Sequence, residues 1–164
     1  MSAWHPAWPG FSSRGSLPLP LPMAEVARLA TTPTLRVGEL LLERKREFHV
    51  TLLNRDLGAR VHVPRAGGAP AGSLPALFAP LDWTWRATGE RWLLLEATPE
   101  GASHSVVELL DMPAFARFRA AVGELLGEPL PDAPPHVTLY VAGDPRGIGI
   151  DSQAHFERLR LHPL

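Results

Sequence analysis

The sequence predicts an α+β fold, and three observations carry that prediction. Short apolar runs with strand alternation recur along the chain, and a few helical stretches interrupt them without the regular alternation of a parallel βαβ sheet. One tetrapeptide, His-Val-Thr-Leu, occurs twice, at 49–52 and 136–139, each time inside such a strand-like run. No coiled-coil pattern, solenoid repeat or glycine-rich phosphate loop accompanies them.

Residues 1–22 form a Pro/Trp-rich N-terminal arm, in which five prolines are spaced among Trp4, Trp8 and Phe11. The Leu-Pro alternation from Leu17 to Pro22 favours an extended polyproline course and cannot form a helix interior. Such an arm either drapes over the surface or packs its aromatics onto the domain or a partner. Residues 23–164 follow as one domain. A short helix is expected from Pro22 to Ala30, with Val26, Leu29 and Ala30 on one face. Strand and turn follow over 37–46, carrying the charged run Glu43–Glu47, and then comes the strand Phe48–Leu53. Val61–Val63 reads as a weaker strand, 67–72 as a loop, and Ser73 as the cap of a helix ending at Phe78.

Trp83–Arg86 and Arg91–Ala97 read as two strands joined by a turn at Gly89, with Val106–Leu110 a further strand. The clearest helix runs from Pro113 to Leu126. Asp111 is its expected N-cap and Gly127 its stop, and Phe115, Phe118, Val122, Leu125 and Leu126 form an apolar stripe. A strand over 135–141, a turn at Asp144–Gly147 and a last short helix near 152–160, capped by Asp151, complete the chain.

Composition narrows the function classes. A chain of 164 residues buries roughly 70% of its unfolded surface, enough for one real core. With 16 basic against 17 acidic residues the net charge is −1, which excludes a general polyanion binder held by a basic surface. A small, locally charged site for one phosphate stays open. The absence of cysteine excludes disulfides, thiolate metal sites and thiol nucleophiles, and fits a reducing cytoplasm. No apolar run approaches the ~18 residues of a membrane span. The first 23 residues are broken by prolines and lack the basic start of a secretory signal. These readings lead to the expectation of a cytoplasmic monomer with no cofactor and no membrane partner.

The repeated string carries the chemistry. A single His-x-Thr is common by chance, but two copies sharing all four letters in two strand-like runs are not. The strand period of two puts His49 and Thr51 on one face, with Val50 and Leu52 turned to the core. The same rule groups His136, Thr138 and Tyr140 against Val137, Leu139 and Val141. Brought side by side, two such strands present two imidazoles and two hydroxyls to one cleft. That set suits phosphodiester cleavage: one neutral His accepts the proton of the attacking water or hydroxyl, and the other, protonated, donates to the leaving oxygen. The threonine hydroxyls stabilise the charge that builds on the non-bridging oxygens, and no metal is required. A metal held by the two histidines would need a third His or a carboxylate at ligand spacing, and none lies near either motif.

The paired motifs resemble those of the two-histidine (2H) phosphoesterases, the superfamily of 2′-5′ RNA ligase-like proteins and RNA 2′,3′-cyclic phosphodiesterases. The resemblance implies a bilobal α+β fold, with two pseudo-symmetric lobes of antiparallel sheet, helices outside and a central cleft. It also implies metal-independent hydrolysis or transesterification of a nucleotide or RNA-end phosphodiester, either a 2′,3′-cyclic phosphate or a 2′-5′ or 3′ linkage. His49 and His136 match the family's catalytic pair, and Thr51 and Thr138 its phosphate-binding hydroxyls. Many ligase-like members carry an Arg soon after the second motif, where this chain has Tyr140-Val141-Ala142-Gly143. That departure motivates a second expectation, a phosphate- or nucleotide-binding module of the same fold without turnover. Tyr140 is expected to contact substrate, by base stacking, and Trp83, Trp85 and Trp92 are weighed as cleft or core. Arg44, Lys45 and Arg46 read as a solvated turn, and His5, His62, His104, His155 and His162 as structural.

Overall fold

A strand made of alternating leucine and proline begins the ordered pairing of the chain. The computed structural model describes residues 2–164. Its elements are β1 (Leu17–Pro20), α1 (Met23–Val26), β2 (Thr34–Val37), β3 (Leu40–Arg44), β4 (His49–Leu53), α2 (Arg55–Val61), α3 (Leu74–Phe78), β5 (Arg86–Thr98), β6 (Gly101–Asp111), α4 (Pro113–Leu126), β7 (His136–Ala142), α5 (Gln153–Leu159) and β8 (Arg160–Pro163). The fold is α+β, as expected, and every strand pair is antiparallel. The bilobal arrangement has unequal halves, a two-stranded sheet β1-β4 and a six-stranded sheet in the order β2-β3-β7-β6-β5-β8. The two histidine motifs therefore lie on strands of different sheets.

The arm is part of the fold. Leu21 N–H donates to Phe48 O at 2.9 Å, so by the strand period Leu19 turns its N–H the same way while Pro18 and Pro20 fall where a donor would face outward. Leu17, Leu19 and Leu21 are buried, and the pairing with β4 sets Pro20 opposite His49 and Pro18 opposite Thr51. The Leu-Pro alternation thus forms an edge strand, where an isolated segment would favour polyproline geometry. Trp4, Trp8 and Phe11 pack against the main core. Trp8 meets Phe78 edge-on at 5.4 Å, and Phe11 meets His62 at 4.5 Å. Asp82 straps the start of the arm, accepting from Trp4 N–H at 2.9 Å and from the Thr84 hydroxyl at 2.6 Å, and these bonds hold its carboxyl down at about 2.

The core lies between α4 and the motif strands. Val50, Leu52 and Leu53 of β4 and Val137 and Leu139 of β7 are fully buried, as are Phe118 and Val122 of the α4 stripe. Burial of this kind contributes about 1.5–3 kcal/mol per large apolar side chain. Trp83 stacks on Phe78 at 4.6 Å and is wholly buried, so it belongs to this core. A smaller cluster of Leu94, Val107, Ile148, Phe156 and Leu159 includes residues of α5 and the six-stranded sheet, and Trp92 packs against it.

Several local expectations are corrected. Val61 ends α2, because Asn54 Oδ1 caps Leu57 N–H at 2.9 Å and the spacing of Leu57 and Val61 faces the core, which outweighs the β preference of two valines. The first helix is shorter than Pro22–Ala30 and gives way to turns after Val26. Trp83–Arg86 and Arg91–Ala97 are not two strands about a turn. Both Ala87 and Arg91 pair with β6, so Gly89, at φ 80°, sits in a bulge of one long strand, and its N–H donates to buried Glu108 at 2.7 Å. Strand β6 is likewise longer than Val106–Leu110. Asp111 ends β6 and pairs with Arg86 at 2.5 Å, leaving Met112 at the N-cap and Pro113 at the first turn of α4. Gly127 is the stop, at φ 77°. Ser152, not Asp151, caps α5 through His155 N–H at 3.0 Å. Ser73 precedes α3 but makes no side-chain cap, and a 3₁₀ turn at Pro70–Ser73 occupies the end of the expected loop.

Candidate active site

Strand alternation turns Val50, Leu52, Val137 and Leu139 into the core and leaves His49, Thr51, His136 and Thr138 on the opposite faces. These four side chains line one cavity of about 130 Å³. Asn54, Arg146 and the segment 147–151 complete its wall. The structure thus brings together both histidines and both threonines named from the sequence.

Tyr140 is not with them. The β6–β7 register sets Val107 opposite Thr138 and Val106 opposite Tyr140, so Leu139 is an extra residue on β7 and the alternation slips by one. Tyr140 turns to the core, 3% exposed, with its hydroxyl on Thr32 O at 3.1 Å. Val141 takes the place that alternation gave to Tyr140. A Cβ built on Gly147 would meet both Thr138 Cγ2 and Val141 Cγ1.

His136 is 9% exposed, and its Nδ1 lies 2.9 Å from Pro134 O. A carbonyl only accepts, so Nδ1 carries the proton and the neutral ring keeps a lone pair on Nε2. Among the described residues no buried side-chain nitrogen lacks a partner, so Nε2 meets the solvent of the cavity. Burial holds the His136 pKa below the ordinary imidazole value, and the neighbouring His49 lowers it further, against the Pro134 bond. His49 is also depressed, by burial first and then by the Lys45 ammonium, with Glu47 acting the other way.

Long-range hydrogen bonds fix the two motifs relative to each other. Arg119 of α4, 7% exposed, donates from Nη1 to Leu52 O at 3.0 Å, the last residue of the first motif. From Nη2 it donates to Pro131 O at 2.8 Å, in the segment leading to His136. The 143–151 loop is pinned from three sides. Lys45 Nζ donates to Pro145 O and Arg146 O at 3.1 and 3.0 Å, Asn54 Nδ2 to Asp151 Oδ1 at 3.1 Å, and Ile148 N–H to the buried Ser105 hydroxyl at 2.9 Å. Desolvation holds the Lys45 pKa below its ordinary value, and Glu47 and Asp144 oppose that shift. Lys45 is thus half-buried and engaged, where the charged run read as a solvated turn.

Sequence reading missed three contributors. Arg146 lines the cavity from the Asp144–Gly147 turn, although no Arg directly follows the second motif, and its guanidinium is paired with Asp144 at 2.7 Å. Arg119 lies on a helix read only for its apolar stripe, and Asn54 follows the strand Phe48–Leu53 with no pattern of its own to mark it. Neither Trp83, Trp85 nor Trp92 lines the cavity, and none of the other five histidines does. Among the described residues no three His, Asp or Glu side chains group as a metal site. Nor is any helix there long and apolar enough to cross a membrane.

No family model matches the chain, and neither a curated protein nor a solved structure matches it.

Proposed function

We propose that the protein is a phosphodiesterase in which His49 and His136 act as an acid–base pair. The observation that carries this reading is the convergence of two His-x-Thr pairs, from two different sheets, on one small cavity. Its 130 Å³ is about four water molecules' share of liquid volume, the scale of a phosphate group. In the reaction, neutral His136 accepts at Nε2 a proton from water as the water oxygen bonds to phosphorus. Protonated His49 gives its proton to the ester oxygen whose P–O bond breaks. One water is consumed, one P–O bond forms and one is lost, leaving a phosphomonoester and an alcohol. Thr51, Thr138 and the Arg146 guanidinium meet the charge on the non-bridging oxygens. The bound phosphodiester is itself an anion, so it favours the charged form of His49 that burial disfavours in the free protein.

The resemblance to two-histidine phosphoesterases supports the same reading and makes nucleotide or RNA-end 2′,3′-cyclic phosphates the first substrates to assay. A reducing cytoplasmic setting is in keeping with the cysteine-free composition. The test is turnover of a panel of small cyclic phosphodiesters in excess chelator. Activity should persist there, and His49→Ala and His136→Ala should each lower it by about 10²–10⁴. Wild-type turnover in both variants would overturn the assignment.

A further inference from the structure

The small cavity opens into a groove of about 810 Å³ that shares His49, Thr51, Asn54 and Arg146 with it. That volume is in the range of a small-molecule site and holds far more than a phosphate. Its walls come from the arm (Ser12, Arg14, Ser16), the start of α2 and the 144–151 loop. Two features of the lining are informative together. The charges balance: Arg14, Lys45, Arg55 and Arg146 stand against Glu47, Asp56, Asp144 and Asp151. The lining also contains no Phe, Tyr or Trp.

Tyr140, the aromatic expected to stack a base, is engaged elsewhere, as are Trp92 and the aromatics of the arm. Trp8 and Phe11 pack on Phe78 and His62, Tyr140 is buried against Thr32, and Trp92 packs edge-on against Phe156 at 6.0 Å. A nucleobase or a single strand is normally held by aromatic stacking, and a polyanionic chain by an excess of basic side chains. This groove supplies neither. It supplies carboxylates that accept from hydroxyl groups, beside guanidinium, amide and hydroxyl groups that donate to them. Arg14, Arg55, Glu47 and Asp56 line the groove, are exposed, and make no side-chain hydrogen bond or ion pair among the described residues, so their bonding capacity is open to solvent or to a ligand.

We infer that the groove binds a polyhydroxylated group, so that the substrate is the cyclic phosphate of a sugar or polyol, read through its hydroxyls and not through a base. This rests on the paired-histidine reading and narrows its substrate class. The experiment compares kcat/KM for myo-inositol 1,2-cyclic phosphate, glycerol 1,2-cyclic phosphate, adenosine and cytidine 2′,3′-cyclic phosphates, a short RNA ending in a 2′,3′-cyclic phosphate, and ethylene cyclic phosphate, which has no hydroxyl.

The base-free polyols should equal or exceed the nucleosides, adenosine and cytidine should differ by less than about threefold, and RNA should gain nothing. In Asp56→Asn and Arg14→Gln, the ratio of kcat/KM for the inositol ester over the ethylene ester should fall about tenfold, the worth of one charge-assisted hydrogen bond. Preference for RNA or for one base by more than about tenfold, or an unchanged ratio in both variants, would overturn the groove assignment and leave the paired-histidine reading standing. No turnover of any member would overturn both.

Discussion

His136 titrates below ordinary imidazole because its ring is enclosed, and the neighbouring His49 adds to the shift while the bond from Nδ1 to Pro134 O opposes it. In the unfolded chain the same group titrates near ~6.5. Between the folded value and ~6.5 the unfolded state binds more protons than the native state, so stability rises with pH across that window. The neutral ring costs the fold nothing above ~6.5, and acid removes stability below it, by at most about 1.4 kcal/mol per pH unit for each such histidine. His49 adds to the effect in the same direction. His136→Asn should therefore flatten the fall of the urea midpoint between about pH 6.5 and pH 5 relative to the parent chain. An unchanged slope would contradict the enclosed neutral ring. The Asp82 carboxyl, held at about 2, acts in a lower window: its contribution is present above its ordinary value near 3.8 and is lost as pH falls toward 2.

At the scale of elements, the arm is the piece whose role differs most from a first reading of its composition. Gly58 of α2 lies against Gly15, and a Cβ at that position would run into the Gly15 carbonyl oxygen, with Phe11 Cε1 3.6 Å away. Gly58→Ala gains up to ~1 kcal/mol of helix propensity but forces the arm off α2, and overpacking of this kind costs about 1–3 kcal/mol. A net loss of stability by urea unfolding is expected, with a lower kcat as well, because β1 pairs directly with the residues of the first motif. A stability gain of the propensity size would show that the arm is not seated there. The strands over 48–53 and 135–141 were legible because β-branched and apolar residues alternate there with His and Thr. The seating of the arm was not legible. Proline suits an edge strand only when a partner pairs with the leucines between, and that partner lies some thirty residues further along.

At the scale of the molecule, the four His and Thr positions were legible because a duplicated string marks them and strand period orients them. The rest of the site depends on pairings distant in sequence. The bulge at Leu139 exists only in the register of β7 on β6, and it removes Tyr140 from the cleft. Arg146 reaches the cavity only because Lys45, Asn54 and Ser105 hold the 143–151 loop, and Arg119 ties the two motifs through carbonyls that no side-chain pattern reveals.

The central claim is that two histidines from two sheets share one proton-transfer task, and the pH dependence of kcat/KM tests it most directly. One ring must be neutral and one protonated, and both sit below the ordinary imidazole value in the free protein. The profile should be a bell whose maximum lies on the acid side of about 6.5, with one limb lost in each of His49→Ala and His136→Ala. A profile that is flat from about pH 5 to 9 would contradict paired-histidine catalysis even if the protein cleaved phosphodiesters.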